Sequence, residues 1–453
     1  MTRFAPSGPL RGTLRPSPDK SISHRAALIG AIGEGETRIE GYLDAADTRA
    51  TLDAIQVIGA EVEELGPSSA AGGNDLRVRG IGLRGPGERL APRPEPLALD
   101  VGNAGTLLRI LPGWLAGQGA GAWTLDGDES IRRRPVDRVA RPLQLMGAEV
   151  DCRDGRLPPL RVQGSTLSGI EYRLPVASAQ VKSCLLLAGL LADGETRVVE
   201  PATTRDHTER MLVAAGADVA VTELRSTPAV HSGPVRRIAV HRVEGIAPGR
   251  ISVPGDFSSA AFLAVAAAVV PGSRIRLDDV GLNPTRVGLL GILNRMGAAV
   301  EVEEDLSRGG SEPRGAIIAR HGPLAATRVH GDEVPLAIDE LPLVALAGCF
   351  AEGSTVVSGA EELRHKESDR IATVVEGLRG IGAEIEALAD GFAVHGTGSL
   401  RGGALDAHGD HRLAMLGAIA GLASSDGVEV TGAAAAAVSY PRFEAHLASL
   451  VAS

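Results

Sequence analysis

The chain has 453 residues and a formal net charge of -10, from 46 Lys+Arg against 56 Asp+Glu. That length exceeds one ordinary core and predicts two domains of roughly 200 residues, while the acidic balance argues against nonspecific nucleic-acid binding yet permits a local basic pocket for a small anion. The three cysteines, Cys152, Cys184 and Cys349, are far apart and lack metal-ligand spacing, so neither disulfides nor structural zinc are expected and the three read as buried small hydrophobes.

Of the basic residues only Lys20, Lys182 and Lys366 are lysines; all others are arginine. Where any solvated cation would serve, this composition uses Arg, so each retained lysine marks a place that needs a compact point charge. Chance survival is the alternative, and the local contexts decide between them.

At the N-terminal end, MTRFAPSGPLRGTLRPSP carries no apolar signal-type run, and the longest aliphatic stretches, such as AAFLAVAAAVV from Ala260, fall short of a membrane span. A soluble, cytoplasmic protein without a membrane partner is expected. PSPDKSISHR, Pro16 to Arg25, then opens an apolar helix that Asp19 or Ser21 can cap. Lys20, Ser21 and Arg25 there can surround a phosphate or carboxylate at the positive helix end. A plain capped helix is the alternative, but cations oppose the dipole at that end unless an anion is present.

A turn-plus-strand signal recurs six times, at Gly35, Gly121, Gly194, Gly272, Gly353 and Gly427. Five copies are followed by a helix-like segment and a second signal, Gly-Ala and then an apolar-alternating strand, at Gly59, Gly147, Gly216, Gly297 and Gly382. Those five glycines sit where a helix needs a left-handed stop. The sixth copy runs out at the C-terminus. An apolar stretch before each first signal predicts one buried helix per copy, so the chain reads as six small α/β modules. Modules one to three and four to six predict two domains, residues 20–253 and residues 1–19 plus 254–453, with the active site in the cleft between them. If the strand before Pro16 pairs with the second half, Lys20 falls on a hinge facing that cleft.

Further loop-to-helix junctions carry polar groups. DVGNAGTLLRILPG offers Asn103, Gly105, Thr106 and Arg109, with Gly105 allowing close backbone approach. Of the arginines at 132, 133 and 134, Arg134 is the one placed to clamp an anion, and the other two read as surface. Ser178, Gln180 and Lys182 crowd the next helix start, and RDHTERML follows from Arg205. Around Asp339 and Glu340, and around Asp410, His411 and Arg412, charged groups again precede apolar helices. Lys366 and Arg370 are four apart, which puts them on one helical face beside Glu367 and Asp369; a solvated charged helix is an equal reading of that segment. There is no metal quartet, P-loop or G-x-S-x-G elbow, which weighs against metalloenzymes, kinases and serine hydrolases.

DKSISHR, GNAGT, RRRPVDR, SAQVKS, RDHTE, NPTR, IDELP, HKESDR and GDHRLAM, in that order, make the chain resemble the 5-enolpyruvylshikimate-3-phosphate synthases, and SAQVK, RDHTE and NPTR resemble their class II branch. The resemblance covers nearly the whole chain. It implies a two-domain inverted α/β barrel of six βαβαββ-type units, the enolpyruvyl transferase fold. The implied reaction joins phosphoenolpyruvate to the 5-hydroxyl of shikimate 3-phosphate in aromatic amino-acid and chorismate biosynthesis, with no cofactor and no metal, in a monomer. Carried over, the family's roles put Lys20, Ser21, Arg25, Ser178, Ala179, Gln180, Arg205, Asp339 and Lys366 on shikimate 3-phosphate. Lys20, Gly105, Arg134, Gln180, Arg370 and Arg412 fall to phosphoenolpyruvate. The implied chemistry is addition followed by elimination, with Asp339 taking the hydroxyl proton and Glu367, or else Lys20, protonating the methylene carbon; sequence does not assign which carboxylate is acid and which is base. Many relatives carry a lysine where this chain has Val438, so that contact is absent or replaced. Gly105 is retained where some members have Ala and tolerate glyphosate, which implies sensitivity here. Two rivals remain: a UDP-N-acetylglucosamine enolpyruvyl transferase, whose usual loop cysteine GDESIRRRP lacks, and a noncatalytic anion-binding or RNA-end-processing protein of similar repeats.

Overall fold

The computed structural model describes residues 1–68, 73–89, 95–224, 235–307 and 310–451. It divides into two compact units, Met1–Pro18 with Pro254–Ser453, and Asp19–Ser69 with Gly73–Val253. Each unit contains three copies of one module, most complete in strand Leu97–Asp100, helix Gly105–Ala116, strand Ala122–Asp126, helix Asp137–Leu145 and strands Glu149–Arg153 and Leu157–Gln163. The first strand lies parallel to the second, which pairs antiparallel with the fourth, and the fourth pairs antiparallel with the third. The same order recurs in the sheets built on Glu195–Glu200, Glu36–Leu43, Arg274–Gly281 and Ser354–Val357.

Two modules take their parallel edge strand from elsewhere in the chain. Arg11–Leu14 precedes helix Lys20–Ile32 in sequence but pairs with Arg274–Gly281 of the fourth module. Arg250–Ser252 precedes helix Phe257–Val269 but pairs with Glu36–Leu43 of the first. The chain therefore passes between the units twice, beside Asp19 and beside Pro254. The strand before Pro16 does pair within the second half of the chain. The sixth sheet has three strands, Gly403–Asp406, Val428–Thr431 and the N-terminal Thr2–Phe4, which fills the place where the last copy runs out.

Pleated strands send alternate side chains to opposite faces, and the sequence is written to that period. In Glu36–Leu43, Thr37 and Ile39 are buried while Glu36 and Arg38 are exposed. The wet face carries cross-strand charge pairs, Arg79–Glu61 at 2.9 Å and Arg77–Glu36 at 3.1 Å. Such exposed pairs are worth roughly 0–1 kcal/mol each, so they orient the sheet more than they stabilise it. The stability lies in the buried helix of each module. Helix Phe257–Val269 is buried at every residue, as a helix apolar all round must be. Each unit has its own hydrophobic core around three such helices.

All five predicted helix stops have the left-handed backbone, with φ of 117° at Gly59, 101° at Gly147, 93° at Gly216, 80° at Gly297 and 102° at Gly382. A side chain at those positions would clash with its own carbonyl, so glycine ends the outer helix and turns the chain into the hairpin. The three cysteines are buried and free. Burial pushes the Cys349 thiol up to about 12, which leaves it unreactive at neutral pH. Among the described residues no helix is long and apolar enough to cross a membrane.

Candidate active site

The buried helices bring their first turns, and the polar residues there, into one cluster per unit. In the Asp19–Val253 unit the three helices start at Lys20, Gly105 and Ala179. Asp19, not Ser21, caps the first, its carboxylate accepting from the Ile22 amide at 2.8 Å. Lys20 stands in the first turn with Nζ 3.0 Å from Asp47 Oδ2. Arg25, one turn further in, is buried; it donates to Thr208 Oγ1 at 2.7 Å, to Ser183 Oγ at 3.0 Å and to the Ser21 carbonyl at 3.0 Å.

The second and third helices meet through side chains. Gln180 donates to Thr106 Oγ1 and accepts from Arg109 Nη1, both at 3.1 Å. Arg134 donates to Asn103 Oδ1 at 3.2 Å and to Ser130 Oγ at 3.1 Å. A Cβ on Gly105 would stand 2.8 Å from Arg134 Nη1 and 3.2 Å from Arg109 Nη1, so the glycine keeps two guanidinium groups close over a helix start. Ser178 caps the third helix through the Val181 amide, Ala179 is its first residue, and Arg205 lies on the segment between Glu195–Glu200 and His207–Ala214. Ala104, at the N-cap of the second helix, makes no side-chain cap bond. The result is a set of helix ends rich in N–H groups and cations, suited to an anion. Arg132 and Arg133 are exposed and paired with Asp126 and Glu129, so they belong to the surface as expected.

In the other unit all three helix starts carry a carboxylate: Asp256, Glu340 and Asp410 occupy the N-caps. Asp339 lies among four cations, with Arg370 Nη1 at 3.3 Å, Arg412 Nη2 at 3.5 Å, Arg286 Nη1 at 3.7 Å and Lys366 Nζ at 3.9 Å. Arg370 is 1% exposed and also binds Asp410 at 2.8 Å and Glu367 at 2.6 Å. Burial opposes its charge, but Asp410 and Glu367 outweigh burial and raise its pKa further. Burial alone would raise the Asp410 carboxyl; Arg370 outweighs it and holds Asp410 below the usual aspartate range. Arg412 donates to the Asp339 carbonyl at 3.0 Å, and Ser258 joins the network through Arg286 at 2.8 Å and through Glu340.

The predicted residues thus fall into two groups. Lys20, Ser21, Arg25, Gly105, Arg134, Ser178, Ala179, Gln180 and Arg205 lie in one unit, and Asp339, Lys366, Glu367, Arg370 and Arg412 in the other. Two sequence expectations are corrected. Lys366 and Arg370 do not share a helical face: Lys366 is extended after the turn Glu361–His365, and the helix begins at Arg370 because Asp369 caps the Ala372 amide. Lys182 does not present its charge at the helix start; it is 1% exposed and bound to Glu200 and Glu209 at 2.9 and 2.7 Å. Asp47, Asp256 and Ser258 were not singled out from sequence, and Arg286 entered only as the last residue of the NPTR motif, without a role. Asp256 had a signal, since GDFSS repeats the Asp-before-helix pattern of PDKSIS and GDHRLAM. Val438 ends the short turn Ala433–Val438 and is partly exposed. Among the described residues no group of His, Cys, Asp and Glu is placed to hold a metal ion.

The architecture defines a class. The enolpyruvyl transferase NikO from Streptomyces tendae superposes with a TM-score of 0.73 over 99% of this chain and 96% of that one at 18% identity, which establishes a shared fold. An EPSP synthase from Acinetobacter baumannii superposes with a TM-score of 0.82 at 39% identity, covering 99% of this chain and 97% of that one. The family profile of EPSP synthase (3-phosphoshikimate 1-carboxyvinyltransferase) matches residues 4–447. Proteins named 3-phosphoshikimate 1-carboxyvinyltransferase from Synechococcus sp. (strain JA-3-3Ab) and Methylococcus capsulatus are 45% and 46% identical, over 99% and 97% of this chain and 96% and 94% of their own lengths. The chain belongs to the EPSP synthase family.

Proposed function

We propose that this protein transfers the enolpyruvyl group of phosphoenolpyruvate to the 5-hydroxyl of shikimate 3-phosphate, releasing phosphate. Asp339 among four cations carries the reading, because the reaction needs a carboxylate base held beside two phosphorylated acids. Lys20, Ser21, Arg25, Ser178, Ala179, Gln180 and Arg205, with Asp339 and Lys366, bind shikimate 3-phosphate. Lys20, Gly105, Arg134, Gln180, Arg370 and Arg412 bind phosphoenolpyruvate.

In the addition step Asp339 takes the proton of the 5-hydroxyl as its oxygen attacks C2 of phosphoenolpyruvate. The methylene carbon is protonated by Glu367, with Lys20 the competing donor. The tetrahedral ketal then expels phosphate while the new methyl group returns a proton to a carboxylate, which restores the double bond. Arg370 has to relax its grip on Glu367 for that acid to act, and an arriving substrate carboxylate supplies the replacement partner.

Each unit holds part of this ligand set, so both act on one pair of substrates and close on them as the bound anions offset the clustered cations. The protein works in the cytoplasm as a monomer. Phosphate release from phosphoenolpyruvate that requires shikimate 3-phosphate and does not occur with UDP-N-acetylglucosamine is the expected assay result. Turnover with the sugar nucleotide alone would replace this reading with its nearest rival, and release with neither would point to a noncatalytic protein.

A further inference from the structure

The core of the Asp19–Val253 unit contains a charged group that the reaction does not use. Lys182 projects from helix Ala179–Gly189, and its ammonium meets Glu200 Oε2 at 2.9 Å, Glu209 Oε1 at 2.7 Å and the Thr204 carbonyl at 3.5 Å. Thr204 Oγ1 adds a bond to the same Glu200 oxygen at 2.7 Å. Three acceptors around one ammonium match its three donors in number, and a compact point charge fits among them where a planar guanidinium is larger and differently directed.

These partners come from the end of strand Glu195–Glu200, the following segment and helix His207–Ala214. One ammonium therefore ties a helix, a strand end and a second helix together on either side of Arg205. A parallel layer lies one residue along in sequence. Ser183 and Thr208 bind each other at 2.6 Å, and both accept from Arg25. Ser178 lies one turn before Lys182 on the same helix, and its carbonyl accepts from the Lys182 amide at 3.1 Å.

We infer that Lys182, Glu200 and Glu209 form a positioning triad that sets Arg25, Ser178, Ala179 and Arg205 in register for the phosphate and ring of shikimate 3-phosphate, without touching that substrate. The role rests on the enolpyruvyl-transfer reading above. Lys182 is 1% and Glu209 4% exposed, so little water reaches this group and nothing in solution replaces the ammonium once it is removed. Loss of the ammonium frees Thr204 and the start of the second helix together, and Arg205 and Thr208 move with them.

The test is steady-state kinetics of the full chain carrying Lys182→Met. The expected result is a KM for shikimate 3-phosphate raised about tenfold, the loss of one charged hydrogen-bond network, with kcat and the KM for phosphoenolpyruvate within about threefold. A purely structural triad would lower the folded fraction, and with it apparent kcat, while leaving both KM values in place; that outcome overturns the inference. Should Lys182→Met not fold, Thr204→Val removes a single bond beside Arg205 and is expected to raise the same KM about threefold. A folded Thr204→Val enzyme with wild-type KM values likewise overturns it. Calorimetric titration of shikimate 3-phosphate into wild type separates the two levels: a wild type that neither binds it nor turns over sinks the functional reading, whereas equal binding by wild type and Lys182→Met sinks the triad alone.

Discussion

Asp339 is the residue on which the proposed chemistry converges, and its surroundings say what its loss would do. With four cationic side chains within 4 Å, replacing the carboxylate leaves those charges facing one another as well as removing a base. Asp339→Asn, nearly isosteric, is expected to lower kcat by about 10²–10⁴-fold, the usual worth of a positioned general base. Retention of more than a tenth of wild-type kcat would reassign the base. A second residue-scale expectation concerns acid stability. His446 is buried against the Tyr440 hydroxyl at 2.7 Å, and burial, with Arg442 nearby, lowers its pKa from 6.5 to about 4. A histidine whose folded pKa is depressed binds its proton more readily when unfolded, so its contribution is complete above 6.5 and is lost as pH falls to about 4. At about 1.4 kcal/mol per pH unit the loss is at most ~3 kcal/mol. Urea denaturation at pH 6.5 and pH 4 is expected to show a smaller drop for His446→Gln than for wild type; identical drops would place the acid sensitivity elsewhere, His24 being the next buried candidate. Lysine scarcity directs attention to all three lysines, of which Lys20 and Lys366 stand in the two polar clusters. Lys182 stands in a core, because three acceptors around a point charge are as demanding there as at a ligand.

At the scale of elements, the helix starts divide the work. Two of the three in the Asp19–Val253 unit, at Ala104 and Ser178, carry no charged cap, whereas all three in the other unit are headed by Asp256, Glu340 or Asp410. Helix starts with cations and no charged cap suit incoming anions, whereas in the other unit the carboxylates at the starts pair with Arg286, Arg370 and Arg412. Gly105 belongs to the first kind. Gly105→Ala would bring a methyl group against the ends of Arg134 and Arg109 without disturbing backbone, since the close atoms are flexible side-chain tips. The expected result is a KM for phosphoenolpyruvate raised about tenfold, one hydrogen-bonded contact's worth, with thermal stability shifted by less than about 1 kcal/mol. An unchanged KM would take Arg134 out of the phosphoenolpyruvate site. The elements themselves were legible: the period-two strands, the apolar helices and the five glycine stops all follow from local sterics and burial. The boundary at Arg370 was not, because Asp369 caps the helix there and leaves Lys366 outside it, a choice between two acidic residues that spacing alone does not make.

At the scale of the whole molecule, the two strand exchanges tie each unit's first module to the other half of the sequence. The proposed function divides its ligands between the units and therefore has both reach one substrate pair. Small-angle scattering is expected to show a smaller radius of gyration when shikimate 3-phosphate and phosphoenolpyruvate are both present than with either absent; equal values would remove closure from the mechanism. The sequence by itself determined the six-module plan and the buried helices, since hydrophobic period and glycine stops are local properties written every 73 to 86 residues, whereas the proposed ligands are those that the family resemblance of its motifs implies. Only the tertiary structure decided that Arg11–Leu14 and Arg250–Ser252 change places, that Arg286 joins the ring around Asp339, and that Lys182 is a core ion rather than a ligand. Edge-strand pairing and buried charge are settled by which distant groups arrive to complete the hydrogen bonds, and that depends on packing between segments far apart in sequence, Arg11 opposite Arg274 and Thr2 opposite Val430.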